Sequence, residues 1–273
     1  MIIARDEFLL SGETNSFPDS LMHRTKYDPV KRAEEVAKIV FRDNQRKYYR
    51  FRPARFYGGI ATADCVGCCL RCIFCWSWRE VIKPELYGQF YLPQEVARKL
   101  TRIAMKKHFK YVRISGNEPT IARDHLLQVL DLIPKDIHFI LETNGILIGH
   151  DKSYAEDLAS FENLYVRVSI KGTNENEFSE LTGAEPICFN FQIQALENLL
   201  HAGVEVHPAA MVSFSPLENI QILQNRLQRI DSKLADIEIE ELVLWGDVQK
   251  RLQKAGFEFR TAYDPQKIPP EQL

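Results

Sequence analysis

Five of the six cysteines in this chain stand at Cys65, Cys68, Cys69, Cys72 and Cys75, with Cys188 far away. Thiols this crowded cannot clip distant segments together, as a disulfide framework does. Their chemistry is that of a metal in a reducing compartment. Several groupings are open. Cys65 and Cys68 with Cys72 and Cys75 form a four-thiolate set like a zinc site, but only Cys69, Leu70 and Arg71 separate the two pairs, where structural zinc sites usually place about a dozen residues or more. Cys68, Cys72 and Cys75 place three thiolates on one loop. On a cubane iron–sulfur cluster, three thiolates leave one iron without a protein ligand, open to a substrate or cofactor. Cys65 as a fourth ligand would instead close the cluster into a ferredoxin-like electron carrier. His108, His125, His138, His150, His201 and His207 show no paired metal spacing, so they are expected as surface or core residues, with His207 on a strand the best exception.

The elements that must position these thiols follow from composition and period. A chain of 273 residues, 45% hydrophobic and 26% charged, can bury a core without staples. The apolar fraction excludes disorder, and a net charge of −2 argues against a global polyanion binder. The chain opens MIIARDEFLL, with Arg5, Asp6 and Glu7 in place of a leader's apolar core, and no apolar run approaches the roughly 20 residues of a membrane span. A cytoplasmic protein without membrane contact is the expectation.

Residues 1–25 read as an irregular or edge segment. Asp28 before Pro29 signals a helix start, and apolar spacing carries the helix to about Tyr48. The stretch 26–55 holds ten Lys and Arg, a solvated helix face or a surface for an acidic partner or nucleic acid. Strands are expected over 57–63, 111–115, 137–142, 164–170, 204–212 and 238–244. Helices are expected over 93–108, 121–132, 154–160, 189–201 and 217–230. This alternation demands a mainly parallel α/β sheet, and about six units suit a partial (β/α)6 TIM-type barrel with an N-terminal helical extension. The expected division is a basic-helix extension over 1–55, the barrel over 56–247, and a tail over 248–273 running across the surface. The acidic stretch 231–241 reads as a solvated connection or a docking face.

In parallel α/β folds the site lies at the carboxyl ends of the strands. After the first strand comes DCVGCCLRCIFCW, after the second SGNEPT, after the third TNG, and the fourth ends in SIKG. The fifth and sixth end in MVSFS and WGD. All would converge on one rim.

Cys68-Cys69-Leu70-Arg71-Cys72-Ile73-Phe74-Cys75 resembles the CxxxCxΦC signature of radical S-adenosylmethionine enzymes, with Phe74 as the aromatic residue. Ser115-Gly116-Asn117-Glu118-Pro119 resembles the family's GGEP segment, with Asn117 replacing the second glycine, and Thr143-Asn144-Gly145 resembles its third-strand TNG. Ser169-Ile170-Lys171-Gly172 resembles the fourth-strand end of the pyruvate formate-lyase activating enzyme branch. Phe74-Cys75-Trp76 and SGNEP are also similar to the wybutosine-type tRNA-modifying branch.

The resemblance implies a [4Fe–4S] cluster on Cys68, Cys72 and Cys75, with S-adenosylmethionine on the remaining iron. It implies that Gly116 and Asn117 meet the methionine moiety through their backbone, with Glu118 near its ammonium. Thr143 and Asn144 line the same pocket. Ser169 and Lys171 would face the carboxylate and ribose, and Phe74 would pack near the adenine with Met211 or Val212. Reductive cleavage to a 5′-deoxyadenosyl radical and hydrogen abstraction from a substrate would follow, with no protein acid or base assigned. The reductant would be a reduced flavodoxin or ferredoxin. The substrate would be a partner protein acted on by an activase, a tRNA or a small molecule, meeting the barrel mouth itself. Cys65, Cys69 and Cys188 are expected as packing thiols.

Overall fold

The computed structural model describes residues 25–269, so the expectation for the first segment lies outside the described residues. Asp28 accepts hydrogen bonds from the Val30 and Lys31 amides, and Pro29 sits at the first helical position of α1 (Pro29–Val40). Ala33, Val36 and Val40 form its buried stripe. The helix stops eight residues short of Tyr48, because Asp43 and Asn44 take φ of 48° and 61°. Two successive residues in the left-handed region make the tight hairpin turn whose twist matches paired strands. That turn joins β1 (Phe41–Arg42) to β2 (Gln45–Ala54), with Arg42 opposite Gln45. The basic stretch is therefore part helix and part strand.

β2 runs antiparallel to β3 (Ile60–Cys65), which opens the parallel series. After the cysteine loop come the short α2 (Trp78–Ile82) and β4 (Gln89–Tyr91), which pairs with residues 46–48 of β2. The repeating units follow: α3 (Pro93–Lys107), β5 (Tyr111–Ser115), α4 (Arg123–Leu132), β6 (His138–Thr143), α5 (Ile146–His150), α6 (Lys152–Leu158) and β7 (Leu164–Lys171). Then come α7 (Glu175–Thr182), α8 (Phe189–His201), β8 (Glu205–Met211), α9 (Leu217–Gln228) and β9 (Glu238–Glu240). The strand order β1-β2-β3-β5-β6-β7-β8-β9 makes β3 to β9 a parallel run, with no pairing between β9 and β1 among the described residues. This is the six-unit parallel architecture of a partial barrel, open rather than closed.

The two faces of the sheet differ in kind. Outward, Val112, Ile114, Phe139, Leu141, Val166, Val168 and Ile170 pack beneath helices through Val96, Leu100, Leu126, Val129, Leu196 and Leu199. Each such side chain contributes about 1.5–3 kcal/mol on burial. Inward, alternate residues are charged, and they satisfy one another. Arg113 donates to Thr62 at 3.0 Å and also to Glu142, while Ser115 donates to Glu142 at 2.6 Å. Arg167 forks onto Glu238 at 2.6 and 2.9 Å and reaches Glu240 at 2.7 Å. The acids of the 231–241 stretch are thus not all solvated. Glu238 and Glu240 are alternate residues of β9 and face the barrel interior.

After β9 comes β10 (Leu242–Val243), and the segment expected as a tail over 248–273 holds α10 (Val248–Lys254) and β11 (Ala262–Tyr263), with β10 and β11 paired in parallel. The Arg260 amide donates to the Ser213 carbonyl at 2.7 Å, which straps the segment over the end of β8.

Candidate active site

The cysteine loop leaves the end of β3 and is fastened at both ends by one side chain. Asn117 accepts from the Gly67 amide at 2.7 Å and donates to Ser77 Oγ at 2.6 Å. Ser77 Oγ donates in turn to the Gly116 carbonyl at 2.9 Å. Gly67 and Ser77 flank the three spaced thiols, so the side chain that replaces a glycine works as a clasp on their loop. Gly116 itself has φ +95°, and a Cβ there would stand 2.9 Å from the Asp64 Cα. Only glycine fits that approach.

The thiols divide in two groups. Cys72 is acted on by Cys68 and Cys75, and Cys75 by Cys68, so these three share one neighbourhood. Burial pushes the Cys72 and Cys75 thiols up, while the charge of Lys171 pulls Cys72 back. A hydrogen bond from Cys69 holds Cys68 below the ordinary thiol value, aided by the Leu70 amide at 3.3 Å from its sulfur. Cys65 is fully buried, its thiol pushed up to about 11 by burial, and the groups that act on it are Arg46, Asn117 and Glu118 rather than the other loop thiols. Cys69 is fully buried against Asn144, whose Nδ2 lies 3.3 Å from its sulfur. Cys188 is buried at the start of α8. Among the described residues, no three His, Cys, Asp or Glu side chains gather closely enough for a single metal ion. Three thiols on one loop suit a polynuclear cluster, whose ligands bind different irons.

The segments after the next strands meet this loop. Asn144 Nδ2 also lies 3.6 Å from Cys68 Sγ, joining the third-strand turn to the first. Glu118 is buried, and its carboxylate accepts from the Thr120 amide and hydroxyl at 3.2 and 2.7 Å, from Thr143 Oγ1 at 2.7 Å and from the Asn144 amide at 2.8 Å. The resemblance set Glu118 beside an ammonium; in the structure its oxygens brace the SGNEP and TNG turns against each other. Ser169 Oγ donates to Glu240 at 2.8 Å, and Lys171 Nζ bonds Ser169 and lies 3.6 Å from Glu240. Lys171 and Arg167 overcome the effect of burial and hold the Glu240 carboxyl at about 2. Phe74 packs on Phe214 at 5.6 Å, and Met211 is buried at the end of β8.

Three contributors escaped the sequence reading. Gln192 on α8 is wholly buried, donating to the Asn144 carbonyl at 2.5 Å and the Ser169 carbonyl at 3.1 Å, and accepting from the Lys171 amide at 3.0 Å. A glutamine on the apolar stripe of that helix was the available signal. Glu240 was masked by its acidic neighbourhood, although the E-I-E alternation puts both acids on one strand face. Arg251 on α10 donates to the carbonyls of Ile73 at 2.6 Å and Cys75 at 2.5 Å, a contact across 178 and 176 positions that no local pattern announces. His207, the one histidine held open for chemistry, lies 2.9 Å from Glu238 as part of the interior charge network.

Known proteins share this arrangement in part. A Thermococcus kodakarensis protein described as "Probable GTP 3',8-cyclase" is 32% identical over 120 residues, covering 43% of this chain and 36% of that protein. The chain thus spans well under half of the curated relative it matches. SuiB of Streptococcus suis bound to S-adenosylmethionine superposes with a TM-score of 0.51 at 22% identity, over 65% of this chain and 39% of that one. A radical SAM methyltransferase from Sphaerobacter thermophilus gives a TM-score of 0.52 at 13% identity, over 80% of this chain and 70% of that one. These structural likenesses establish the fold. Residues 64–218 match the Radical SAM superfamily, and that segment contains the cysteine loop and the SGNEP, TNG and SIKG turns, so the chain belongs to the radical SAM superfamily and is an enzyme that uses S-adenosylmethionine and a [4Fe–4S] cluster.

Proposed function

We propose that Cys68, Cys72 and Cys75 hold the cluster, and that the enzyme abstracts hydrogen from a partner polypeptide in the manner of a radical-installing activase. The observation that carries this reading is the meeting of the cysteine loop with the turns after the next strands: Asn117 clasps the loop through Gly67 and Ser77, and Asn144 Nδ2 lies 3.6 Å from Cys68 Sγ. When bound, the cluster and S-adenosylmethionine supply one-electron cleavage of the sulfonium and a carbon radical able to take hydrogen from an unactivated C–H bond.

The chain's own residues do the positioning. Asn117 and Ser77 fix the ends of the loop that presents the thiols. Burial raises Cys72 and Cys75, so these thiols lose their protons on binding metal rather than in the free protein. Lys171 supplies the cation for the S-adenosylmethionine carboxylate and Ser169 a hydroxyl toward its ribose, both aligned by Glu240 and Gln192. Gly116 brings the backbone close, with Asn117 next to it. Thr143 and Glu118 hold the turns rigid from beneath, and the buried Phe74, packed on Phe214, and the buried Met211 contribute apolar surface that excludes water.

Support for a polypeptide substrate comes from the open sheet: among the described residues β9 and β1 are not paired with each other, as sideways entry of a large partner requires. SuiB bound to precursor peptide SuiA has the same fold, with a TM-score of 0.53 at 22% identity, over 70% of this chain and 40% of that one. The tRNA alternative loses much of its basic surface. Arg46 and Lys47 are buried, and Arg50 and Arg52 both bind Asp64, at 2.6 and 2.9 Å. A reduced flavodoxin or ferredoxin would deliver the electron. The crowded free thiols suit the reducing cytoplasm, and no described helix is long and apolar enough to cross a membrane.

Anaerobic reconstitution tests the reading. The wild-type chain should take up a [4Fe–4S] cluster and release 5′-deoxyadenosine when reduced with S-adenosylmethionine. Cys72→Ala should abolish both, whereas Cys65→Ser and Cys69→Ser should keep the cluster. Deuterium passing from a labelled partner polypeptide into 5′-deoxyadenosine would support the activase role. Transfer only from a nucleic acid or a small molecule would sink it.

A further inference from the structure

Arg251 is 6% exposed, yet among the described residues no carboxylate forms an ion pair with it: Asp247 acts on it through its charge alone and is itself paired with Arg79. A buried guanidinium without an anion is costly, since carbonyl dipoles and an aromatic face replace only part of its hydration. The partners it has are specific. Nε donates to Ile73 O and Nη2 to Cys75 O, at 2.6 and 2.5 Å, and the guanidinium lies 4.7 Å from the Trp78 ring centroid. Both carbonyls belong to the cysteine loop, and one is that of Cys75 itself. The α10 backbone is anchored by buried Val248 and Leu252, and Asp247 before it meets Arg79 at 3.5 Å. The cation is thus held in place from the far end of the chain.

We propose that Arg251 is a positioning residue for the cluster: it pins the ligand loop and supplies the fixed positive charge that balances a net-anionic iron–sulfur centre. This rests on the assignment of Cys68, Cys72 and Cys75 as ligands. Three thiolates on a [4Fe–4S] core leave the assembly negative, and each added electron makes it more so. A cation buried beside one ligand stabilises the reduced state and raises the potential at which the centre accepts its electron. The missing ion pair is then explained, because the cluster is the anion. The fork across Ile73 and Cys75 also limits how far the loop can open. The C-terminal segment, outside the matched residues 64–218, is in this view part of the redox machinery.

Redox titration by visible absorbance and EPR, together with iron release to a chelator, tests this without reference to turnover. R251M removes the charge and the fork, and R251K keeps the charge but loses the fork. For R251M, the ratio of reduced to oxidised cluster at a fixed applied potential should fall about tenfold, a shift of about 59 mV for one electron. R251K should stay near the wild-type potential, and both variants should release iron faster. An unchanged potential in R251M overturns the proposal, and so does an R251K shift as large as that of R251M, which would trace the effect to loop disorder. If R251M does not fold, R251Q is the neutral variant read in its place. A wild-type chain that takes up no [4Fe–4S] cluster would instead overturn the ligand assignment.

Discussion

Asn117 and Glu118 are adjacent, polar and set in one turn, yet they do different work. Asn117 is bonded outward to the two ends of the cysteine loop, so Asn117→Gly, the substitution that restores the double glycine of related turns, removes the acceptor for the Gly67 amide. We expect it to lower apo-protein stability by about 1–3 kcal/mol, measured by urea unfolding, as an amide loses its partner. Glu118→Gln should cost a similar amount, since one amide oxygen must serve the donors that now share two carboxylate oxygens. Either variant unfolding at the wild-type urea midpoint would contradict these assignments. The contrast also marks what a sequence reveals at this scale. Cys68, Cys72 and Cys75, the proposed ligands, stand out in the sequence because metal chemistry restricts both residue type and spacing. Glu118 is legible as important but not in its direction, because only tertiary packing decides that its oxygens point at Thr143 and the Asn144 amide. Gln192 and Arg251 act across the fold, where spacing along the chain carries no signal.

The parallel strands and their longer helices were readable because each buries one face, and burial imposes a period. α8 begins and ends where its apolar spacing places it, and β5 runs over the expected 111–115. The hairpin was misread because the apolar spacing of α1 runs on by chance into the Tyr48 region. The decisive feature is a two-residue turn, Asp43-Asn44, with both φ values positive. Asp43→Val should therefore cost about 1–2 kcal/mol, the penalty of a β-branched side chain in the left-handed region, while Asp43→Gly should change stability little. Comparing the thermal midpoints of the two variants checks this, and equal midpoints would refute it. α7 was missed although its ends are marked: Asn174 caps it by accepting from the Glu177 amide, and Gly183 follows in the left-handed conformation. Its eight residues were too few for the apolar period to stand out.

A net charge of −2 conceals the charge network that lines the barrel, because Arg113, Arg167 and Lys171 offset Glu142, Glu238 and Glu240 within the fold. That network spans β5 to β9, and its position depends on the antiparallel hairpin that closes the other edge. The hairpin is fixed to α4 through buried His125, which lies 3.0 Å from the Asn44 carbonyl and 3.0 Å from the Tyr48 hydroxyl. A carbonyl only accepts, so Nδ1 carries the proton and Nε2 accepts from Tyr48; this is the neutral imidazole. Burial, with the charge of Arg46 adding to it, lowers the His125 pKa to about 4. The unfolded chain therefore takes up a proton near the ordinary value of 6.5 while the folded chain does not. Stability is complete above that value and falls as the pH drops toward about 4. The interior glutamates act later: Glu240, held at about 2 in the fold against an ordinary 4.5, contributes stability above 4.5 that is lost only below it. Between pH 6.5 and 5 the slope thus belongs to His125, and it should amount to about 2 kcal/mol. Urea midpoints of the apo protein across that window should fall steadily with acid, whereas His125→Gln, less stable at pH 7, should hold a constant midpoint. If the variant kept the wild-type slope, the proton would have to be taken up elsewhere, and the hairpin would not be the part of the molecule that yields first to acid.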